Sequence, residues 1–199
     1  MRELVLLLSF AAACGKGDAK LDGRPDMRPT TGTAVTLDWT MSRDGDQLQI
    51  DYTVSNPTPA RIYVLDELPV GDAFAPDAII VMGDPDAPDT VRLSRALIRT
   101  LEKVLTIPMP GARAVEAGAT LTGTARAPWP LRAWHNYSTV DPLRGQPAQA
   151  VLQIGYVADP GAAGLTRRDL PDGTTVTVPT PATVGTQQLL VGDAQPLPK

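Results

Sequence analysis

Across residues 35–55 large apolar side chains recur at every second position. Val35, Leu37 and Trp39 alternate with Thr36, Asp38 and Thr40, and Leu48, Ile50, Tyr52 and Val54 alternate with Gln49, Asp51, Thr53 and Ser55. Period two means a strand with one buried and one wet face, because successive side chains leave a pleated backbone on opposite sides. Arg43, Asp44, Gly45 and Asp46 separate the two runs, and Asp-Gly accommodates the positive φ that a tight hairpin requires. Two antiparallel strands are expected. Asn56-Pro57-Thr58-Pro59 should end the second, since proline cannot donate to a ladder. A third strand over residues 61–65 would make residues 34–65 a meander.

The rest of the chain extends this pattern. Twenty Pro and 17 Gly among 199 residues are too dense for a helical bundle or coiled coil, and 43% hydrophobic residues are too many for a disordered acidic tail. Residues 78–82, 89–97 and 118–125 read as further strands, with Thr120, Thr122 and Thr124 on one face of the last. Residues 150–157 set Leu152, Ile154 and Tyr156 against Val151, Gln153 and Gly155, and strands are also expected over 174–178 and 187–191. Residues 93–105 are ambiguous. Leu93, Leu97, Leu101, Val104 and Leu105 also fit helical spacing with Arg95, Arg99 and Lys103 outward, although a strand is favoured at the start. Short strands between Gly and Pro turns indicate an all-β fold, an Ig-like antiparallel β-sandwich of about eight or nine strands. A single cysteine excludes the inter-sheet disulfide of antibody domains.

The N-terminal segment has a different character. Its apolar stretch over residues 4–13 would span roughly 15 Å as a helix, against ~30 Å of bilayer hydrocarbon, so it is too short for a membrane span. Small residues Ala11 and Ala13 at the end of that stretch suit signal-peptide cleavage, which assigns residues 1–13 to a signal peptide. The one cysteine of the chain, Cys14, follows directly. Ala11 to Cys14 with the preceding run resembles the lipobox of bacterial lipoproteins. The resemblance implies a diacylglycerol on the Cys14 sulfur and a further acyl chain on its amino group. Two or three chains anchor stably where one does not, at about 0.8 kcal/mol per buried methylene. An unpaired thiol in an oxidising compartment would otherwise be a reactive liability. Residues 14–33, rich in Gly, Lys, Asp, Arg, Pro and Thr, then read as a flexible tether carrying the lipidated cysteine, and residues 34–195 as the β-sandwich domain. In such lipoproteins Asp after the cysteine signals inner-membrane retention. Gly15 stands there, which implies the outer membrane facing the periplasm.

The strand Thr36-Leu37-Asp38-Trp39, the strand over residues 49–56 and the Asn-Pro turn are similar to small Ig-like domains of bacterial envelope lipoproteins and of the bacillar intracellular proteinase-inhibitor family. That similarity implies the sandwich and raises peptidase inhibition as one function.

Catalytic motifs are sparse. A formal charge of −4 without basic blocks argues against nucleic acid, whose phosphates select clustered Lys and Arg. His135 is the single histidine. No Gly-x-Ser-x-Gly elbow supports Ser138 as a nucleophile, His135 and Cys14 alone cannot build a zinc site, and no phosphate loop or dinucleotide fingerprint occurs. No metal, cofactor or catalytic residue is therefore expected. Asp84, Asp86 and Asp89 alternate with prolines as a solvated turn does, rather than as a calcium loop. Trp129, Trp134, His135 and Tyr137 cluster beside Pro128, Pro130 and Arg132. They either cap an open end of the core or form a candidate interaction surface, since aromatics are enriched at interfaces. The expectation is a non-enzymatic, lipid-anchored envelope protein presenting a protein-interaction or structural module to an envelope partner. An envelope hydrolase using loop carboxylates such as Asp84 and Asp86, or a peptidase inhibitor, are the alternatives.

Overall fold

The computed structural model describes residues 35–71, 73–98, 109–134, 143, 145, 147–159, 161 and 164–199. Thirteen strands occur among them: β1 (Thr36–Asp44), β2 (Gln47–Ser55), β3 (Ile62–Val70), β4 (Ala73–Ala75), β5 (Ile80–Gly83), β6 (Thr90–Arg95), β7 (Gly111–Val115), β8 (Thr120–Pro128), β9 (Gln149–Ala158), β10 (Leu165–Asp169), β11 (Thr175–Pro179), β12 (Gln188–Val191) and β13 (Gln195–Pro196). One short helix, α1 (Pro181–Val184), precedes β12. The fold is the all-β sandwich expected, with more strands than the eight or nine anticipated. The short β4, β7, β10 and β13 carry too few residues to show a period in the sequence. No helix among the described residues is long and apolar enough to cross a membrane.

The first sheet has the order β1-β2-β8 and is antiparallel throughout. Its alternation follows the sequence: Leu48, Ile50, Tyr52 and Val54 are buried while Thr36, Asp38 and Thr40 face solvent. The hairpin is tighter than expected. Arg43 and Asp44 belong to β1, Asp44 pairs with Gln47, and only Gly45 (φ 59°) and Asp46 form the turn.

The second sheet is built around β9. Ile154 pairs with Arg95 on one side and Leu190 on the other, and Gly155 with Leu65 and Leu189. Thus β6 and β3 lie end to end along one edge of β9, and β12 and β13 along the other. The β6–β9 pairing is parallel, so the expected purely antiparallel arrangement holds for every strand pair except this one. A parallel neighbour cannot be reached by a hairpin, and the chain visits β7 and β8 before returning as β9. The central position of β9 also explains why Gln153 and Gly155, assigned by alternation to a wet face, are buried: this strand is covered on both faces.

Residues 34–65 are not a meander. The free edge of β2 is taken by β8 over nine residue pairs, from Gln47 with Pro128 to Ser55 with Thr120, and β3 crosses to the opposite sheet. Asn56 makes this crossing. Its side-chain nitrogen donates toward the carbonyls of Ala60, Val115 and Glu116 at 2.8–3.1 Å, and its oxygen accepts from the Thr58 hydroxyl at 2.6 Å. Its backbone pairs with Ala119 and Gly118, so one residue, 1% exposed, joins the β2–β3 and β7–β8 turns.

The main core lies between the sheets. Trp39, Leu48, Ile50 and Val54 from the first meet Ile62, Val64, Leu93, Leu152, Ile154 and Tyr156 from the second. Each such side chain contributes about 1.5–3 kcal/mol on burial. The C-terminal strands are latched to β1: the Trp39 indole donates to the Asp193 carbonyl at 3.0 Å, and the Gln195 amide donates to the Trp39 carbonyl at 2.6 Å. Residues 96–98 follow β6 without regular structure, while 99–108, the remainder of the ambiguous segment, lie outside the described residues.

Candidate functional site

Cys14, His135, Tyr137 and Ser138 lie outside the described residues. Trp129 packs against the main core, with the Arg43 guanidinium 5.6 Å from its ring centre. Trp134 is 39% exposed, and its backbone pairs in both directions with Val81 at 2.7 and 2.8 Å. The two tryptophans therefore play different parts, one as a lid on the core and one as a solvent-facing ring. In the Asp84 loop, one carboxylate oxygen accepts the Asp86 amide at 2.9 Å and the other lies 3.8 Å from Arg92. This carboxylate shapes its own turn, and no trio of His, Cys, Asp or Glu side chains suited to a metal ion occurs among the described residues.

The chemically distinctive region was not foreseen. Asp66 on β3 and Arg95 on β6 are both 0% exposed. Arg95, expected outward on the helical alternative, instead projects from a buried strand between the sheets. Charges are tolerated in such a place only when paired and hydrogen-bonded, and Tyr52 of β2 supplies the bridge. Its hydroxyl donates to Asp66 Oδ2 at 3.0 Å and accepts from Arg95 Nη1 at 2.7 Å. Arg95 Nη2 donates to the carbonyls of Asp66 and Pro76. Arg113 of β7 closes the other side, its Nε 2.9 Å from both Asp66 oxygens and its Nη2 also donating to Oδ2. Four strands from two sheets converge on Asp66, with Tyr52 and Arg113 at its carboxylate and Arg95 at its backbone carbonyl.

Two glycines make room for this arrangement. An added Cβ at Gly123 of β8 would lie 2.2 Å from the Tyr52 ring and hydroxyl, so the tyrosine rests on bare backbone opposite it. At Gly111 of β7 a Cβ would lie 2.6 Å from Glu67 Oε2. Glu67 reaches Gly111 because β3 carries one extra residue in its pairing with β7, Val64 opposing Arg113 but Glu67 opposing Gly111. Such bulges re-aim side chains beside functional sites.

Outside the network the sheets part into an open cleft of about 280 Å³, lined by Asp66, Glu67, Asp77, Arg113 and Thr124 over Gly123. Burial, followed by the neighbouring Asp66 charge, pushes the Glu67 carboxyl above its usual range, against the opposing pull of Arg113 and Arg95. Burial likewise raises the Tyr52 hydroxyl and lowers the Arg95 guanidinium, while the Asp66 hydrogen bond raises Arg113. The Thr124 hydroxyl donates to Asp51 at 2.6 Å and, with Gln49, holds that carboxyl below the ordinary range.

Chemically, Asp66 is a saturated acceptor. Both its oxygens already face donors, so its role is to pin the two sheets together. A signal existed for one partner: Asp66, with Glu67, interrupts the apolar run Val64-Leu65-Asp66-Glu67-Leu68, whereas Arg95 ends the strand Thr90-Val91-Arg92-Leu93-Ser94-Arg95, whose alternating polar residues mark no charge as buried. A charge inside an apolar strand implies a buried partner, although the sequence does not say which. No protein-family model and no curated protein matches the chain.

Proposed function

We propose that this chain is a lipid-anchored cell-envelope protein whose β-sandwich serves as a protein-interaction or structural module, not as an enzyme. The reading is carried by the position of Cys14, the one cysteine, directly after the apolar run 4–13 and its small residues. Acylation there would anchor the chain at the outer membrane facing the periplasm, with the sandwich held beyond residues 14–33. The site geometry supports the non-enzymatic part: Asp66 and Arg95, the deepest charges described, are spent on joining the sheets rather than on facing a substrate. Among the described residues, Trp134 is the solvent-facing aromatic ring available to contact an envelope partner.

The test is acylation in a Gram-negative host. The full chain should incorporate labelled palmitate and yield an N-terminal peptide carrying diacylglycerol, while Cys14→Ser should lose both the label and sedimentation with membranes. A bare Cys14 thiol on protein recovered from that host would refute the anchor.

A further inference from the structure

The cleft beside the Asp66 network holds two groups of opposite charge, Arg113 and Glu67, that attract one another across it but each keep hydrogen-bonding capacity unused. Arg113 commits Nε and Nη2 to Asp66, yet its Nη1 meets no acceptor among the described residues, and its side chain is 38% exposed. The Glu67 carboxylate, folded over Gly111, meets no donor among the described residues. The other polar groups of the cleft are engaged. Asp66 is filled by Tyr52 and Arg113, the Thr124 hydroxyl serves Asp51, and Asp77 lies 3.9 Å from Arg126.

We propose that this cleft binds a small zwitterion of the amino-acid class, its carboxylate on Arg113 Nη1 and its ammonium on the Glu67 carboxylate. A lone anion would meet Asp66, Glu67 and Asp77 along the same walls and be repelled. A lone cation would satisfy Glu67 but leave the free guanidinium edge unused. A guest carrying both charges matches both groups and adds no net charge to a partly desolvated site. The volume, just under the ~300 Å³ at which small-molecule pockets begin, has room for a guest of amino-acid size. Protonation of Glu67 removes the ammonium acceptor, so binding weakens as pH falls through its carboxyl range. The charged groups around Glu67 are Asp66 on β3, Arg113 on β7 and Arg95 on β6, with Asp77 also lining the cleft. This inference does not depend on the lipid anchor.

The experiment uses the full chain and follows amide NMR signals during titration with glycine, β-alanine and 4-aminobutyrate. Acetate and methylammonium serve as single-charge controls. At least one zwitterion should shift the signals of Glu67, Asp77 and Arg113 to saturation, about tenfold or more tighter than either control. Glu67→Gln, which leaves the Asp66–Arg113 pair intact, should weaken that zwitterion by about tenfold while leaving any acetate response no weaker, since it removes one of the repelling carboxylates. The proposal fails if no zwitterion saturates, if acetate or methylammonium binds as tightly, or if Glu67→Gln binds like the wild type. Should the variant not fold, the wild-type comparison of zwitterions with controls decides alone.

Discussion

Replacing Gly123 by alanine tests the inter-sheet network without touching any of its charges. In an ordinary strand this change is mildly favourable, by about 0.4–1 kcal/mol, because it narrows the unfolded ensemble. Here the new methyl would start 2.2 Å from the Tyr52 ring and hydroxyl. Carbon contacts settle near 3.5 Å, so the ring must retreat by roughly 1.3 Å. The hydroxyl is held at 2.7 Å by Arg95 and 3.0 Å by Asp66, and a retreat of that size breaks both bonds. Hydrogen bonds to charged groups contribute about 1.5–3 kcal/mol each, giving a net loss of about 2–5 kcal/mol after the backbone gain. Urea unfolding should show a lower midpoint at unchanged slope, and Tm should fall by roughly 5–15 °C for a chain of this size. Tyr52→Phe supplies the second arm of a cycle. With the hydroxyl gone, Gly123→Ala should cost about 3–6 kcal/mol less than in the wild type, because both bonds it disrupts, at about 1.5–3 kcal/mol each, are already absent. A neutral or stabilising Gly123→Ala, or strict additivity with Tyr52→Phe, would refute the reasoning.

Other perturbations probe neighbouring groups. Because the Glu67 carboxyl is raised in the folded chain, the native state holds more protons than the unfolded one between the two pKa values, and stability declines as pH rises through that window. Glu67→Gln should therefore raise Tm at neutral pH, with the gain disappearing in acid; an equal gain at both would show that charge is not the cause. Asp51 behaves oppositely: its lowered pKa contributes stability that is present above the ordinary carboxylate value and lost as pH falls through the folded one. Thr124→Val should move the Asp51 carboxyl resonance midpoint upward, as read by carbon-13 NMR. Asn56→Ala should cost about 2–4 kcal/mol by urea denaturation. Asn56→Asp should cost more at neutral pH, since it turns a carboxylate toward the carbonyls of Ala60, Val115 and Glu116.

The residues that were legible and those that were not differ in a physical way. Leu48, Ile50, Tyr52 and Val54 announce a strand because only one face of β2 is buried, and that one-sidedness is written in alternate positions. Strand β9 is buried on both faces, so its alternation misassigned Gln153 and Gly155. Asp66 and Arg95 are 29 residues apart and meet through Tyr52 on the other sheet. No spacing rule connects them. Glu67 gained its place over Gly111 through a bulge, which shifts register by one residue and leaves no compositional mark.

The amino-acid order alone determined the all-β class, the β1–β2 hairpin and most strand positions, because pleat period, turn residues and proline act over a few neighbouring residues. It also marked Cys14 as the residue to explain. Which strand borders which, the passage of β3 to the second sheet, the parallel β6–β9 pair and the convergence of Tyr52, Asp66, Arg95 and Arg113 were decided only in the tertiary structure. Those choices cover the second edge of β2 with β8 and bring the buried Asp66 and Arg95 to their hydrogen-bond partners, and both depend on contacts between segments distant along the chain.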